Sequence, residues 1–417
     1  MNTNYYDIVI IGSGMSGLYS AYNIKKISPD TSFIILEKYK KKWLGGRTSN
    51  EIFYDTTIVT GAGIGRKDTN PNLIKLMDEL KVRYTYFQSI MNYSSTFEHV
   101  DIVKIINKLK TEYKKYPELH NKTFKQFCIK ILGEKLYNSF KISAGYTDYE
   151  NSDIYETLYN YGMDDNKGGW IGIHVPWKKM VNALYNKIGH SNFNFSSNVT
   201  SVNKINTNPC LFEIKTENGK IYHANKIINA TTISGIKQLI PGASNVNSIY
   251  QQIHGQPFLR LYAKFNKKSS EIMKEYVSNY TIVPGPLQKI IPMDTNKGVY
   301  MIAYSDNDNA ILLKDHLKNT PGNRELYCKL IEKSLGISSG SLQIIAIKDF
   351  YWPIGTHYYE PLNNNFSTRT EFVNKVQHPE KGLLVVGEAV SRYQGWTEGA
   401  LESVNAVLTP KWVKTEC

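Results

Sequence analysis

Three groups of residues in this chain have types and spacings suited to chemistry. The first is the loop Gly12-Ser13-Gly14-Met15-Ser16-Gly17. The second is a run from Pro257 in which Phe258, Arg260, Tyr262 and Lys264 alternate with Leu259, Leu261, Ala263 and Phe265. The third is a closing segment, Gly387-Glu388-Ala389 and then Tyr393-Gln394-Gly395-Trp396-Thr397-Glu398-Gly399-Ala400. In the first group, Gly12 permits a tight turn, Gly14 lets the backbone approach a pyrophosphate, and Gly17 lets helix and strand pack closely. The pyrophosphate would rest on free N–H groups at a helix start, beside Ser16. Glu37, twenty residues after Gly17, would accept hydrogen bonds from ribose hydroxyls.

These groups need particular elements to position them. Asp7-Ile8-Val9-Ile10-Ile11 reads as a buried parallel strand entering the loop. Met15 to Lys26 reads as the helix leaving it, and Phe33-Ile34-Ile35-Leu36 as a second strand ending in Glu37. Strand, helix, strand and terminal acid form a dinucleotide-binding βαβ unit. The turn Leu44-Gly45-Gly46-Arg47 then brings a guanidinium back toward a phosphate. Gly61, Gly63 and Gly65 leave backbone bare, as a flat ring lying close to main chain requires. Asn70 and Pro71 open a helix to about Leu80.

The middle of the chain is read by pattern. Helical stripes run through Val100, Val103, Ile106 and Leu109, and through Phe124, Phe127, Ile131 and Leu136. Tyr146 to Trp170 reads as a polar, tyrosine-rich loop region, and a helix follows from Pro176. A meander around the Asn218-Gly219 turn leads to Lys226–Thr231, a strand that returns to the first sheet. In the run from Pro257 one face is core. The other carries two cations and two aromatics and must meet water or a cavity. Strands are expected at 298–304 and 342–349, and helices at 271–276 and 325–335. Six aromatic rings between Phe350 and Tyr359, His357 included, suit the lining of a ring-binding site. Gly382–Ala389 is a buried strand, and the helix after Trp396 aims its N–H groups at a ligand.

Composition narrows the class. The 417 residues suffice for two domains or one interleaved body. No apolar run approaches the ~18 residues of a membrane span. The chain enters its first strand at once, which leaves no room for a signal peptide and points to an intracellular soluble protein. Cys128, Cys210, Cys328 and Cys417 have neither metal-ligand spacing nor a disulfide pattern, so free thiols and no metal site are expected. The net charge of +13 is spread over many lysines and carries no nucleic-acid motif.

Taken in order, the glycine loop with its terminal acid, the Gly-Gly-Arg turn, the Gly-Ala-Gly segment and the closing Gly-Trp-x-Glu-Gly-Ala motif resemble the FAD-dependent amine oxidase family. That family includes monoamine, polyamine and L-amino acid oxidases. The resemblance implies an α/β fold: a discontinuous, GR2-type Rossmann-like FAD-binding domain of residues 1–66, 192–250 and 365–417. A mixed α+β substrate domain of residues 67–191 and 251–364 would be inserted in it. It implies that Gly12, Gly14, Ser16 and Gly17 cradle the FAD pyrophosphate, with Glu37 on the ribose and Gly46 and Arg47 at the phosphates. Gly61, Ala62, Gly63 and Ile64 would pass beside the flavin, and Val199 would meet the adenine through its backbone. Glu388 would face ribitol or phosphate, and Trp396 and Thr397 the isoalloxazine. Lys264 would reach flavin N5 through a water. Trp396 and Tyr358 would form two walls of a substrate cage. With no cysteine at 355–358, noncovalent FAD is implied, and His357 reads as a buried or capping histidine. The implied reaction is hydride transfer from an amine or amino acid to flavin N5, with O2 reduced to H2O2. Two other readings fit the same motifs: a flavin dehydrogenase or desaturase acting on a non-amine substrate, and a non-catalytic FAD-binding protein. Arg260, on the face of Lys264, is a carboxylate ligand if it reaches the cavity.

Overall fold

The strand Asn4–Ile11 sits at the centre of the first sheet because both of its faces are apolar. Ile8 and Ile10 point into one core, and Val9 and Ile11 into another, all at most 4% exposed. The computed structural model describes residues 4–161, 168–363 and 365–417. The chain is a mixed α/β fold with several sheets. In the first sheet Asn4–Ile11 pairs in parallel with Phe33–Leu36 on one side and Ile221–Asn229 on the other. Leu383–Val385 pairs in parallel with Ile221–Asn229, and Phe193–Asn194 with Phe33–Leu36. The antiparallel strands Val199–Thr207 and Cys210–Thr216 complete it, forming the expected meander.

The helix Met15–Ile27 packs Leu18, Ala21 and Ile24 onto the Ile8/Ile10 face. The helices Trp177–Ile188 and Thr397–Val407 share that core. Chain from Trp177 therefore packs on the first sheet's layer, ahead of the boundary expected near residue 192. The opposite face is covered by Ile233–Leu239 and Arg369–Gln377.

The second sheet has the strand order Ile344–Tyr359, Ile253–Phe265, Val299–Asp306, Lys289–Asp294, Tyr280–Ile282, Met91–Tyr93. Its two longest strands run antiparallel, with Arg260 opposite Phe350 and His254 opposite Tyr358. Leu259, Leu261, Ala263 and Phe265 enter one core, as the alternation requires. The aromatic run 350–359 is the second part of the strand Ile344–Tyr359. A helical cluster of Ile102–Lys115, Phe124–Leu132, Glu134–Ala144 and Ile154–Tyr159 closes one side. The last helix lies inside the segment expected to be a loop, and residues 162–167 of that segment lie outside the described residues. Among the described residues no helix is long and apolar enough to cross a membrane.

The expectation of four free thiols is corrected. Cys210 and Cys417 form a disulfide with Cα atoms 5.2 Å apart, and only Cys128 and Cys328 are free. Spacing could not reveal a pair 207 residues apart. The contact exists because Lys226, on a central strand, donates from Nζ to the carbonyls of Trp412, Val413 and Thr415. That grip ends the helix Pro410–Lys414 beside Cys210, whose N–H donates to the Cys417 carbonyl.

Two outcomes are expected. Cys417→Ser should lower the unfolding free energy by about 2–4 kcal/mol, the usual range for a native disulfide. The check is denaturant unfolding with and without reductant, which should no longer differ in the variant. Gly17→Ala should cost upwards of ~2 kcal/mol, because its Cβ would lie 2.0 Å from the Gly12 carbonyl oxygen. Gly14→Ala, with no atom within 4 Å of the added methyl, should stay within ~1 kcal/mol of wild type in the same assay.

Candidate active site

The glycine loop is built as its residue types require. Gly12 holds φ +102°, and a Cβ there would stand 2.9 Å from the Ala230 carbonyl oxygen. Gly14 is the N-cap of Met15–Ile27 and offers no side-chain cap to the first turn. Space over Gly14 is open, whereas Gly17 is shut against Gly12. The Gly-Gly-Arg turn folds back on this loop: the Gly45 N–H donates to the Ser13 carbonyl at 3.0 Å, and Gly46 lies against Gly14. Glu37 stands at the end of the second strand and also ties the loop down. Its Oε2 accepts from the Ser13 N–H at 2.8 Å and Ser13 Oγ at 2.7 Å, and its Oε1 from the Tyr39 N–H at 2.9 Å. The Ser197 N–H donates to the Glu37 carbonyl, which brings the buried Val199 to the same edge. Ser16 lies near Gly387, where a Cβ would come within 3.5 Å of its hydroxyl.

Glu388 is the hub between this loop and the closing motif. Its Oε1 accepts from His357 Nδ1 at 2.5 Å and from Arg47 Nη1 at 2.9 Å, and its Oε2 from the Gly395 N–H at 3.0 Å. Burial alone would raise its pKa. The electrostatic interaction with His357 and its hydrogen bond, and after them the charge of Arg47 and the Gly395 N–H, outweigh burial and hold the carboxyl at about 2. His357 is buried, as expected, and its Nε2 accepts from the Ile233 N–H at 3.2 Å. Arg47 also donates to the Gly355 carbonyl at 2.7 Å. Its guanidinium is thus held on Glu388, and the partnership of these two groups was not foreseen.

A cavity of about 1620 Å³ opens beside these residues, lined in part by Gly63, Ile64, Arg260, Gly395 and Trp396. Gly61 is shut against the Arg47 carbonyl, and the Ala62 N–H donates to that carbonyl at 2.7 Å. The Gly63 carbonyl accepts from Trp177 Nε1 at 2.8 Å. Trp396 is pinned by its Nε1, 3.0 Å from Asn70 Oδ1, and its ring meets Trp177 edge-on. Thr397 is buried at the start of Thr397–Val407, a helix with no side-chain cap. Glu398 accepts from the N–H groups of Asn72 and Leu73, at the start of the helix Pro71–Glu79.

Two expected site residues stand elsewhere. Lys264 does not line the cavity: its Nζ donates to the Lys297 carbonyl at the surface, near the Tyr54 ring. It lies four residues past Arg260, about 13 Å along a strand, so a shared face does not make a shared site. Phe258 and Arg260 are the residues of that face in the cavity wall. Tyr358 stacks on His254 with ring centroids 5.1 Å apart and is also outside the lining. Its strand presents Thr356 to the cavity instead, one alternation earlier.

The far wall was not foreseen. Asp148 lines the cavity and accepts a hydrogen bond from the Tyr161 hydroxyl. Burial, and then the nearby charge of Asp306, push its carboxyl up to about 7. Lys289, fully buried, sits 4.2 Å from the centre of the Tyr304 ring, and burial holds its amine well below the usual lysine range. Nothing in residues 146–161 has a period that marks a site.

Comparison with solved structures places the chain in a known fold. Putrescine oxidase bound to putrescine superposes with TM-score 0.73 at 13% identity, over 96% of this chain and 97% of that one. Cyclohexylamine oxidase from Brevibacterium oxydans IH-35A superposes with TM-score 0.73 at 15% identity, over 95% and 96%. A triple mutant of putrescine oxidase from a redesign of cofactor binding gives 0.72 at 15%, over 96% and 97%. The chain therefore has the fold of these amine oxidases from end to end. No protein-family model matches it.

The Glu388 hub carries a pH prediction. A carboxyl depressed to about 2 stabilises the fold fully above its unfolded value near 4.3, and that contribution is lost as pH falls toward 2. Its size is on the order of 3 kcal/mol. Glu388→Gln should melt lower than wild type at pH 7. Between pH 5 and 3 its melting temperature should fall less than that of wild type, as read by circular dichroism.

Proposed function

We propose that this protein is an FAD-dependent oxidase of amines or amino acids. The observation that carries the reading is the cavity wall. Gly63, Ile64 and the Gly395–Trp396 entry to an uncapped helix line one space. The glycine loop fits the proposed cofactor, because the face over Gly14 is open while its helix start lacks a side-chain cap. End-to-end likeness to putrescine and cyclohexylamine oxidases supports the same class at the level of fold.

In this reading the parallel sheet and its helices form a discontinuous Rossmann-like domain. The first turn of Met15–Ile27 takes the pyrophosphate between Gly12, Gly14, Ser16 and Gly17. Glu37, already fixed by Ser13, faces the ribose. Gly46 and Arg47 flank the phosphates, and Val199 meets the adenine. Gly61 to Ile64, Glu388, Trp396 and Thr397 border the flavin. Bound FAD would supply the hydride acceptor, with O2 taking the two electrons to give H2O2. The residues of the cavity do the rest. Trp396 packs against the substrate and restricts its orientation. The N-terminus of Thr397–Val407, with no side-chain cap, would favour negative charge on a group bound beside it. The substrate carbon loses a hydride and its nitrogen a proton, and water hydrolyses the resulting imine. Lys264 and Tyr358 have no part in this step.

The purified protein should show a flavin absorption spectrum whose chromophore is released on denaturation. Anaerobic addition of amine and amino-acid panels should bleach the bound flavin with one class, and air should restore it. No flavin, even after adding FAD, would sink the proposal. Bound flavin that no amine or amino acid bleaches would favour a non-oxidising role or a non-amine substrate.

A further inference from the structure

Arg260 is a buried cation without a counterion. It is 6% exposed and lies in the cavity wall. Arg47, Arg369 and Arg392 each pair with a carboxylate. Among the described residues Arg260 pairs with none. Its Nε donates to the Gly61 carbonyl at 2.5 Å, and its Nη1 has only the Met301 sulfur at 3.6 Å. Its Nη2 lies against Gly63, 3.0 Å from where a Cβ would stand. The guanidinium carbon stands over the Tyr304 ring, 4.0 Å from its centre. Nε, the ring and the backbone of Gly61 and Gly63 thus hold it in place. The Tyr262 hydroxyl also interacts with it, but among the described residues no carboxylate meets its terminal nitrogens.

A guanidinium stays charged at any working pH, and burying it unpaired is costly. The acids nearby are spent elsewhere. Asp306 accepts from Thr147, the Asp148 N–H and Gln288 Nε2. Asp148 takes the Tyr161 hydroxyl, and both carboxylates face Lys289. The missing partner is a planar anion arriving through the cavity, and a carboxylate matches the fork of two N–H donors. Phe258, Ile291 and Met301 supply an apolar surface in the same lining for the rest of such a molecule.

We infer that Arg260 binds the carboxylate of the substrate, so that the compound oxidised is an amino acid rather than a simple amine. This rests on the amine-oxidising reading for its chemistry, and on Arg260 alone for its recognition. The oxidation is balanced as above: the α-carbon gives a hydride to bound flavin, the nitrogen gives a proton to solvent, and the carboxylate is unchanged.

The test separates the two. Flavin-loaded protein is titrated with benzoate, a carboxylate with no amine to oxidise, and binding is read both by flavin absorption and by calorimetry. Benzoate should bind. Arg260→Met should weaken it by roughly 30-fold or more, and Arg260→Lys by less, since one ammonium cannot replace the fork. Inorganic phosphate should compete poorly; equal competition would overturn a carboxylate site. In parallel, phenylalanine and leucine are compared anaerobically with their decarboxylated amines. The amino acids should bleach the flavin at lower concentration, and Arg260→Met should erase that preference. If Arg260→Met fails to fold, Arg260→Lys and the wild-type comparison decide. Bleaching by the amines alone, without benzoate binding, would overturn the inference and leave amine oxidation standing. Benzoate binding that depends on Arg260, with no bleaching by either class, would support the carboxylate site and remove the oxidase reading.

Discussion

The Glu388 carboxylate is the constraint on which the rest of the site depends. It is buried, and its two oxygens join three segments remote in sequence: Arg47 from the Gly-Gly-Arg turn, His357 from the longest strand and Gly395 from the closing motif. A buried carboxylate is tolerated only when donors surround it. Each donor here comes from an element that must be correctly placed for the charge to be satisfied. The Arg47 turn rests on the glycine loop, His357 reaches the chain at Ile233 leaving the first sheet, and Gly395 precedes Trp396. One desolvated charge therefore ties the closing segment of the first sheet to a strand of the second, beside the cavity.

The cavity follows from the length of two strands. Ile253–Phe265 and Ile344–Tyr359 are long enough to bury an apolar face over one part of their span and to wall a chamber over another. Tyr262 illustrates the boundary. Its hydroxyl donates to the Val59 carbonyl at 2.7 Å, joining the strand to the segment that leads to Gly61. On one side of that contact Arg260 faces the chamber, and on the other Lys264 reaches solvent.

This explains which features could be read from the residues alone. The βαβ unit was legible because glycines, β-branched runs and a terminal acid each have a local cause, and the strands and helix stand where the pattern placed them. The face of the strand from Pro257 was legible too, since alternation depends only on the pleat. How far along that face the cavity extends depends on what packs over it, which no local pattern encodes; hence Lys264 and Tyr358 stand outside the lining, and Arg260 was left open. The disulfide and the Asp148–Tyr161 wall arise wholly from chain returns across the fold. Glu388 was expected at the site from the closing motif, but the partners that hold it lie 31 and 341 residues away.

The grip of Glu37 on Ser13 has a kinetic side. A loop of three glycines in six residues has many conformations to lose, and a ligand that had to organise it would bind slowly and weakly. Here the N–H and hydroxyl of Ser13 are already committed to Glu37, and Gly45 clasps the loop from the other side. The entropy of ordering is spent during folding, not at encounter. If a nucleotide binds this loop, as proposed, it would meet backbone already ordered, so its association would be governed by diffusion and entry to the cleft, and its residence time by the contacts made there.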